Sequence, residues 1–257
     1  MSVTSKRTIL ITGAARGIGL ATAERFMQDG FQVAAFDLPR SDFSELISAG
    51  QRNDRSVEVI RGDVSVADDW VGALEQCESA FGAIDVLFNN AGISGPNDTA
   101  THVDIDAFDH VMAVNVRGVF LGLKVIGNHM KSRRSGVIIN TSSISGERGG
   151  GGVFAYTTSK HAVNGMTKSA AVSLAQHGVR VLAVCPCPTG TEMVFALERK
   201  LSPEDPEAVR QRLSTGIPMR RYGDPTEIAN VVRFLADDQA SFMTGALVPV
   251  DGGTLAD

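Results

Sequence analysis

The sequence predicts an α/β fold built as one doubly wound domain: a sheet of about seven parallel strands with helices on both faces. Short β-branched or apolar runs alternate with longer segments whose apolar residues recur every three to four positions. This alternation continues along all 257 residues, without a Ser/Pro-rich linker or an internal repeat. It favours parallel strands joined by right-handed helical crossovers. We therefore predict a single domain spanning residues 1–257.

The predicted strands are short segments rich in β-branched and other apolar residues. They are Thr8–Thr12, Gln32–Phe36, Ser56–Arg61, Asp85–Asn89, Gly136–Thr141, Val179–Cys185 and Ala246–Val250. Helix starts are visible between them. Ser65, with Asp68 three positions later, matches a capping box and predicts a helix that runs to Phe81. Asp224 followed by Pro225 predicts another start, since Pro is favoured at the first helical position.

The composition argues against several classes of function. A net charge of −5, from 29 acidic and 24 basic residues, does not provide the basic surface typical of nucleic-acid binding. No uninterrupted apolar run reaches the roughly 18 residues of a membrane span. The start of the chain lacks the apolar core of a signal peptide. Cys77, Cys185 and Cys187 suggest neither a disulfide framework nor a zinc site. We expect a cytoplasmic protein without a metal, nucleic-acid or membrane partner.

The stretch Pro188–Tyr222 is the most irregular part of the chain, because Pro203, Pro206 and Pro218 interrupt short charged helices. It follows the sixth predicted strand, so it falls where a lid over the carboxyl ends of the strands would lie. A surface excursion without a role in binding is the alternative interpretation. The sequence leaves both open.

Three glycines form a candidate phosphate-binding loop between the first strand and the next helix. Gly13, Gly17 and Gly19 have the spacing G-x3-G-x-G. Glycines let the backbone turn tightly and approach a pyrophosphate, which then meets the positive end of the helix. Glycines also serve ordinary strand–helix turns, but the flanking strand and helix favour a nucleotide site.

Asp37 predicts which dinucleotide binds. It lies at the end of the second strand, 18 residues after Gly19. An acid there can accept a hydrogen bond from a ribose 2′-hydroxyl and repel a 2′-phosphate. Arg16, in the glycine loop, would instead favour a 2′-phosphate. A desolvated like charge costs more than a partly exposed Arg contributes, so we expect NAD(H) rather than NADP(H).

Tyr156 and Lys160 are four residues apart, which on a helix places the phenol and the ammonium on one face. Many solvated helices carry such a pair without any chemistry. A fixed cation beside a phenol favours the phenolate, however, so we expect the pKa of Tyr156 to fall well below its usual value. A Tyr with that pKa is a usable general acid and base.

In their order and spacing, these motifs resemble the single-domain short-chain dehydrogenase/reductase family, which has a Rossmann-type fold. The resemblance covers nearly the whole chain and implies an enzyme that interconverts a secondary alcohol and a ketone by hydride transfer with NAD. Its pieces are Thr12-Gly13-Ala14-Ala15-Arg16-Gly17-Ile18-Gly19, Asn89-Asn90-Ala91-Gly92, Asn115, Ser142-Ser143, Tyr156-x-x-x-Lys160 and Asp251-Gly252-Gly253.

The resemblance implies a role for four of these residues. Tyr156 matches the family's general acid and base, and Lys160 matches the cation that anchors the nicotinamide ribose. Ser143, which lies 13 residues before Tyr156, matches the catalytic Ser that binds the substrate oxygen. Asn115 matches the helix Asn that holds a water near the Lys. Together they would form a catalytic tetrad.

The resemblance also implies which residues contact the cofactor and the substrate. The cofactor contacts, besides Tyr156 and Lys160, are Gly13, Arg16, Gly17, Ile18, Gly19, Asp37, Leu38, Asp63, Val64, Asn90, Ala91, Gly92, Pro186, Thr189 and Thr191. The substrate contacts are Ser143, Ser145, Tyr156 and Met193, with Ile93, Ser94, Phe154 and Val194 as further candidate pocket walls.

One departure from the family lies after the sixth strand, where Cys185-Pro186-Cys187 replaces the usual Asn-Pro-Gly. The Cys187 thiol falls near the expected nicotinamide, where it packs, meets the substrate or is oxidised. Because the family is usually homotetrameric, we expect a homotetramer. Two other functions stay open: an NADPH-dependent 3-oxoacyl-carrier reductase, against which Asp37 argues, and a non-catalytic nucleotide-binding scaffold, against which the complete tetrad argues.

Overall fold

A computed structural model describes residues 6–256, in which seven parallel strands form one sheet. The strands are β1 (Thr8–Thr12), β2 (Gln32–Asp37), β3 (Val57–Arg61), β4 (Val86–Asn89), β5 (Gly136–Thr141), β6 (Val179–Pro186) and β7 (Leu247–Val250). Every predicted strand is present, with bounds that differ by at most one residue. The predicted doubly wound α/β fold is confirmed.

The strand order is β3-β2-β1-β4-β5-β6-β7. The chain moves outward from β1 to β3 and then crosses back to place β4 on the other side of β1. In open α/β sheets such a reversal leaves a crevice at the carboxyl ends of the strands, where ligands bind. The glycine loop after β1 and the Asn90–Gly92 turn after β4 therefore lie side by side.

Helices cover both faces of the sheet. They are α1 (Gly17–Gln28), α2 (Ser44–Arg52), α3 (Ala67–Phe81), α4 (Ile105–Met112), α5 (Gly118–Arg133), α6 (Phe154–Ala175), α7 (Glu192–Leu201), α8 (Pro206–Thr215) and α9 (Pro225–Leu235). Helices α1, α2 and α9 bury side chains such as Phe26 against one face. Helices α3, α5 and α6 bury others, such as Trp70, against the opposite face. Each such side chain stabilises the fold by about 1.5–3 kcal/mol.

The structure corrects one predicted helix start. Helix α3 begins at Ala67, and its N-cap residue, Val66, makes no side-chain cap. Ser65 donates both its amide and its hydroxyl to the Asp63 carboxylate, at 2.8 Å each. The capping box at Ser65 is wrong because this local turn takes the hydroxyl that the cap would need. The predicted start at Asp224 is confirmed, with a complete capping box.

Helices α4 and α5 join through a π-helical turn, Ala113–Arg117, into one helical run, Ile105–Arg133. Its length and its mean hydropathy of 1.3 would suit a membrane span, and 44% of its most apolar window is buried inside the protein. A core helix meets the same criteria. The π-helical turn carries the buried Asn115, and such turns are frequent at functional sites.

Candidate active site

The loop between β1 and α1 forms an open cradle. Gly13 and Gly17 have φ values of +64° and +58°, in the region that favours glycine. A Cβ on Gly13 would meet the Ala91 backbone at 3.0 Å, and one on Gly19 would collide with the Gly13 carbonyl. Helix α1 begins without a side-chain cap and without an acid in its first turn, which includes the half-buried Ile18. Its free backbone amides can therefore receive an anion.

Asp37 is held at the edge of this cradle. Its Oδ2 accepts a hydrogen bond from the Ala15 amide at 3.0 Å, which ties β2 to the glycine loop. Its Oδ1 accepts from the Leu38 amide and the Ser41 hydroxyl, both at 2.8 Å. The carboxylate is thus fixed beside the glycine loop. The side chains of Arg16 and Leu38 are exposed beside it.

Asp63 and Val64 follow β3 at the same edge of the sheet. Val64 is buried, and its carbonyl accepts a hydrogen bond from the Trp70 indole at 2.8 Å. The Asp63 carboxylate is held by Ser65, as described above. This pair can form one wall of a nucleotide site.

The turn after β4 links the cradle to the interior. The Asn90 side chain donates to the Thr12 carbonyl at 3.1 Å. A Cβ on Gly92 would lie 3.2 Å from Asn115 Oδ1 and 3.6 Å from Lys160 Nζ. The turn therefore passes close to both groups, and a side chain at Gly92 would crowd Asn115.

Asn115 is 1% exposed, and its side-chain amide makes three hydrogen bonds. Its Oδ1 accepts from the Ile93 amide at 2.8 Å, and its Nδ2 donates to the Ile93 carbonyl at 2.9 Å. The same nitrogen donates to the Ser159 hydroxyl at 3.0 Å. These bonds fix the orientation of the amide and support the loop that carries Ile93.

The two adjacent serines after β5 face different partners. The Ser143 hydroxyl accepts from the Ser145 amide at 3.1 Å and donates to the Pro186 carbonyl at 3.4 Å. The Ser142 hydroxyl donates to the Lys160 carbonyl, behind the site. Ser143 is therefore the serine at the carboxyl ends of β5 and β6, next to the crevice.

Tyr156 and Lys160 lie on α6, as predicted, but the expected pKa shift is wrong. Burial raises the pKa of Tyr156, and the nearby Ser143 hydroxyl offsets this only in part. The Lys160 ammonium donates to the Thr141 carbonyl at 2.8 Å and lies 5.4 Å from the Tyr156 ring centroid. The ammonium charge is thus directed at a carbonyl and not at the phenol. It therefore does not offset the burial that raises the pKa of Tyr156.

Lys160 itself is almost fully enclosed, with 4% of its surface exposed. Burial lowers its pKa to about 8, while the nearby Cys185 raises it slightly. An ammonium that is this strongly desolvated and lies beside a crevice is a recognised mark of a functional site.

The segment after β6 connects the serine to the phosphate cradle. The Thr189 hydroxyl donates to the Cys187 carbonyl at 2.9 Å, and the Thr191 hydroxyl donates to the Thr189 carbonyl at 3.3 Å. A Cβ on Gly17 would meet the Thr191 methyl at 3.3 Å. From Pro186 to Thr191 the chain therefore spans the distance between Ser143 and the glycine loop. Met193, in the first turn of α7, is 41% exposed beyond it.

Cys187 packs in the position where the family usually has glycine. Its side chain is 7% exposed and lies in an apolar cluster with Ile144 and Ile217. Burial raises the pKa of its thiol. Both observations favour packing over chemistry. Within residues 6–256, no group of three or more His, Cys, Asp or Glu side chains is arranged to hold a metal ion.

The comparisons with known proteins agree with this geometry. A family model described as enoyl-(acyl carrier protein) reductase, of the short-chain dehydrogenase/reductase type, matches residues 13–254. The chain belongs to the short-chain dehydrogenase/reductase family. It is therefore an oxidoreductase of the class that acts on alcohols and ketones. Its Rossmann-type, nucleotide-binding fold follows from the same match.

Several curated relatives match this chain over nearly their whole length. Levodione reductase of Leifsonia aquatica is 36% identical, covering 97% of this chain and 94% of the relative. The 2-(R)-hydroxypropyl-CoM dehydrogenase of Xanthobacter autotrophicus is 39% identical, with coverage of 97% and 99%. A 3-oxoacyl-[acyl-carrier-protein] reductase of Thermotoga maritima is 36% identical, with coverage of 96% and 97%.

Solved structures are similar over the same span. Levodione reductase superposes with a TM-score of 0.93 at 35% identity, covering 97% of this chain and 98% of that one. NAD+-bound xylitol dehydrogenase gives 0.91 at 35% identity, with coverage of 97% and 100%. ElxO with NADP bound gives 0.90 at 29% identity, with coverage of 98% and 100%. The family thus includes members with either dinucleotide.

Three supporting groups were missed in the sequence. The Thr12 hydroxyl accepts from the Asn90 and Ala91 amides at 2.9 and 3.0 Å. Ser159 supports Asn115, and the Thr141 carbonyl receives the Lys160 ammonium. Thr12 and Ser159 lie inside the recognised motifs, which is the one signal that could have found them. A backbone carbonyl gives no signal in a sequence.

Proposed function

We propose that the protein is an NAD-dependent oxidoreductase that interconverts a secondary alcohol and a ketone, with Tyr156 as the general acid and base. One observation carries this proposal: Ser143, Tyr156 and Lys160 lie together at the carboxyl edge of the sheet, beside the glycine cradle that Asp37 borders. One sheet takes strands from both ends of the chain. We therefore infer that residues 1–257 act as one catalytic domain.

The residues present fit a dinucleotide. The cradle at Gly13 and Gly17 leaves room that a Cβ would fill, and the start of α1 offers free amides for the pyrophosphate. Asp37 would accept a hydrogen bond from a ribose hydroxyl, and the Pro186–Thr191 segment would hold the nicotinamide end. When bound, the nicotinamide would accept or supply the hydride. The remaining cofactor contacts, from Asp63 to Gly92, are part of the same proposal.

The protein's own side chains would handle the substrate oxygen and its proton. Ser143 would donate a hydrogen bond to that oxygen and stabilise the charge that grows on it in the transition state. Tyr156 would give its proton to the oxygen in reduction and take it in oxidation. Lys160 would bind the nicotinamide ribose, and Asn115 would hold a water that exchanges the proton with solvent. Ser145 and Met193 would contact the substrate.

The raised pKa of Tyr156 predicts how the rates of reduction and oxidation depend on pH. Below that pKa the phenol is protonated and ready to donate, so ketone reduction proceeds at neutral pH. Oxidation of the alcohol needs the phenolate and should become faster as the pH rises. Opposite pH profiles for the two directions are therefore expected.

The choice of NAD rests on Asp37, whose carboxylate would repel a 2′-phosphate. Similar proteins of known structure bind NAD+ or NADP, so the cofactor has to be measured. Wild-type kcat/KM with NADH and with NADPH tests it, and a clear preference for NADPH would overturn the role of Asp37. A cytoplasmic location and a homotetramer stay predictions.

The test of the chemistry is a panel of secondary alcohols and ketones, followed by NADH absorbance, with wild type and Tyr156→Phe. We expect turnover by the wild type and a loss of at least 100-fold in the variant, within the range that a general acid contributes. NADH binding, followed by its fluorescence, should be retained. A variant that keeps wild-type turnover would disprove the scheme.

A 3-oxoacyl-carrier reductase is the second candidate function, favoured by the relative from Thermotoga maritima. Asp37 opposes it, since that candidate uses NADPH. Acetoacetyl thioesters with NADPH, added to the same panel, distinguish it. A non-catalytic scaffold would give no turnover with any probe.

A further inference from the structure

Residues 188–222, here named the covering segment, leave and return to the sheet at one point. The Gly190 amide donates to the Gly223 carbonyl at 2.9 Å, and the Gly223 amide donates to the Pro188 carbonyl at 3.1 Å. A bridge between Thr189 and Gly223 completes this neck. Helices α7 and α8 lie between the two sides of the neck, and they contact each other within the segment.

One buried carboxylate joins these two helices. Glu198, on α7, is 1% exposed. Arg210, on α8, donates through Nε to Oε1 at 3.2 Å and through Nη2 to Oε2 at 2.9 Å. The Arg210 guanidinium also lies 5.0 Å from the Phe195 ring centroid and pairs with Glu207. A buried carboxylate is unfavourable without such a partner, so the two helices are bound at this point.

Tyr222 extends this contact to the active site. Its ring packs against the cluster that contains Ile144, the residue after Ser143. Its hydroxyl is buried and has no hydrogen-bond partner within residues 6–256. It nevertheless lies near Glu198, since burial first and then that carboxylate raise the pKa of Tyr222.

We propose that Glu198 is a positioning residue whose carboxylate, held by Arg210 and approached by the Tyr222 hydroxyl, makes α7 and α8 move as one unit over the cofactor and substrate crevice. The path of contact is continuous at both ends. Tyr222 reaches the turn that carries Ser143, and Thr191, at the start of α7, lies against Gly17 of the glycine loop. The proposal rests on the proposed function for the identity of the bound molecules, but not for the mechanical link.

The exposed pair Glu192–Arg199 provides a matched control. It lies on the same helix and joins an acid to an Arg, but both side chains are 54% exposed. Exposed pairs contribute little to stability. Glu192→Gln therefore repeats the chemical change of Glu198→Gln without breaking the contact between α7 and α8.

The experiment compares wild type, Glu198→Gln, Tyr222→Phe and Glu192→Gln by hydrogen exchange and NADH fluorescence. In Glu198→Gln we expect amides of residues 192–215 to exchange at least tenfold faster, while the strands keep their protection. The NADH dissociation constant should rise about fivefold with Tm nearly unchanged. Tyr222→Phe should raise KM for the alcohol from the panel three- to tenfold at constant kcat. Glu192→Gln should match wild type throughout.

Each outcome decides the matter. Equal exchange of residues 192–215 in Glu198→Gln and Glu192→Gln would overturn the proposal. A Tm loss with unchanged NADH affinity in Glu198→Gln would also overturn it, because that result indicates a merely structural contact. An unchanged KM in Tyr222→Phe would show that Tyr222 does not link Glu198 to the active site. If wild type neither turned over nor bound NADH, the proposed function would fail, and faster exchange in Glu198→Gln alone would still support the link.

Discussion

The floor of the crevice and the covering segment above it are built on different principles. In the floor, Asn115, Ser143 and Lys160 are each at most 7% exposed, and each side chain is hydrogen-bonded to another part of the chain. In the covering segment most charged side chains face solvent, and Glu198 is the buried exception. A closely packed floor whose buried side chains are hydrogen-bonded resists movement. A covering segment whose two helices are joined to each other by Glu198 and Arg210 can open without disturbing the sheet.

This difference predicts that changes in the floor alter the chemistry, whereas changes in the cover alter binding and local opening. Exposed ion pairs such as Glu192–Arg199 are worth about 0–1 kcal/mol, so they cannot fix a helix in place. Glu198→Gln probes the cover, and the following four variants probe the floor and the glycine loop, starting from the largest expected effect.

Ser143→Ala should reduce kcat by about 100- to 1,000-fold, as is typical when a donor to a developing oxyanion is removed. The neighbouring Ser142→Ala is the matched control, because its hydroxyl donates to a backbone carbonyl behind the site. We expect Ser142→Ala to keep kcat within a few-fold of wild type. Steady-state kinetics on both variants decides between them, and a larger loss in Ser142→Ala would reverse the assignment.

Lys160→Met should weaken NADH binding and turnover but stabilise the free protein. The pKa of Lys160 is lowered from 10.5 to about 8. Below pH 8 both the folded and unfolded states carry the proton, so the penalty of burying the charge is complete, at most about 3 kcal/mol. Between pH 8 and 10.5 only the unfolded state binds it, so wild-type stability rises with pH. Denaturant unfolding at pH 7 and pH 9.5 should show the advantage of the variant shrinking.

Lys168→Met is the control for this effect. Lys168 lies on the same helix with an exposed side chain, so its replacement should change neither the stability nor its pH dependence. A stability difference between Lys160→Met and wild type that does not vary with pH would contradict the burial argument.

Asp37→Asn should shift the ratio of kcat/KM for NADH over NADPH by about 10- to 30-fold toward NADPH, since it removes the charge that repels a 2′-phosphate. The amide oxygen can keep the hydrogen bonds from Leu38 and Ser41, whereas the bond from the Ala15 amide to the second carboxylate oxygen is lost. Asp42→Asn, in the next turn and exposed, should leave the ratio unchanged. An unchanged ratio in Asp37→Asn would show that another residue selects the dinucleotide.

Cys187→Gly should have the smallest effect on activity. The thiol packs against Ile144 and Ile217, so its removal should cost about 1–2 kcal/mol of stability with kcat within twofold of wild type. Because burial raises the thiol pKa, iodoacetamide at pH 8 should label Cys187 slowly in the folded protein. Fast labelling accompanied by loss of activity would show that the Cys187 thiol has a role in the reaction.

The sequence predicted the floor better than the cover, for a physical reason. Strand bounds, the glycine loop and the Tyr156–Lys160 spacing follow from local periodicity and from motifs whose residues are close in the chain. The direction of the Tyr156 pKa shift was wrong because burial of the phenol raises its pKa, while the Lys160 ammonium points toward the Thr141 carbonyl. The capping box at Ser65 was wrong because Asp63 competes for the same hydroxyl.

By itself the sequence determined the order of strands and helices, the family, and the positions of the four candidate catalytic residues, because each is written in local spacing. Only the tertiary structure decided that the Lys160 ammonium points at the Thr141 carbonyl, that Cys187 packs, and that Glu198 and Arg210 join α7 to α8. Those facts depend on contacts between residues far apart in the chain, where burial and hydrogen-bond geometry, and not residue type, select the partner.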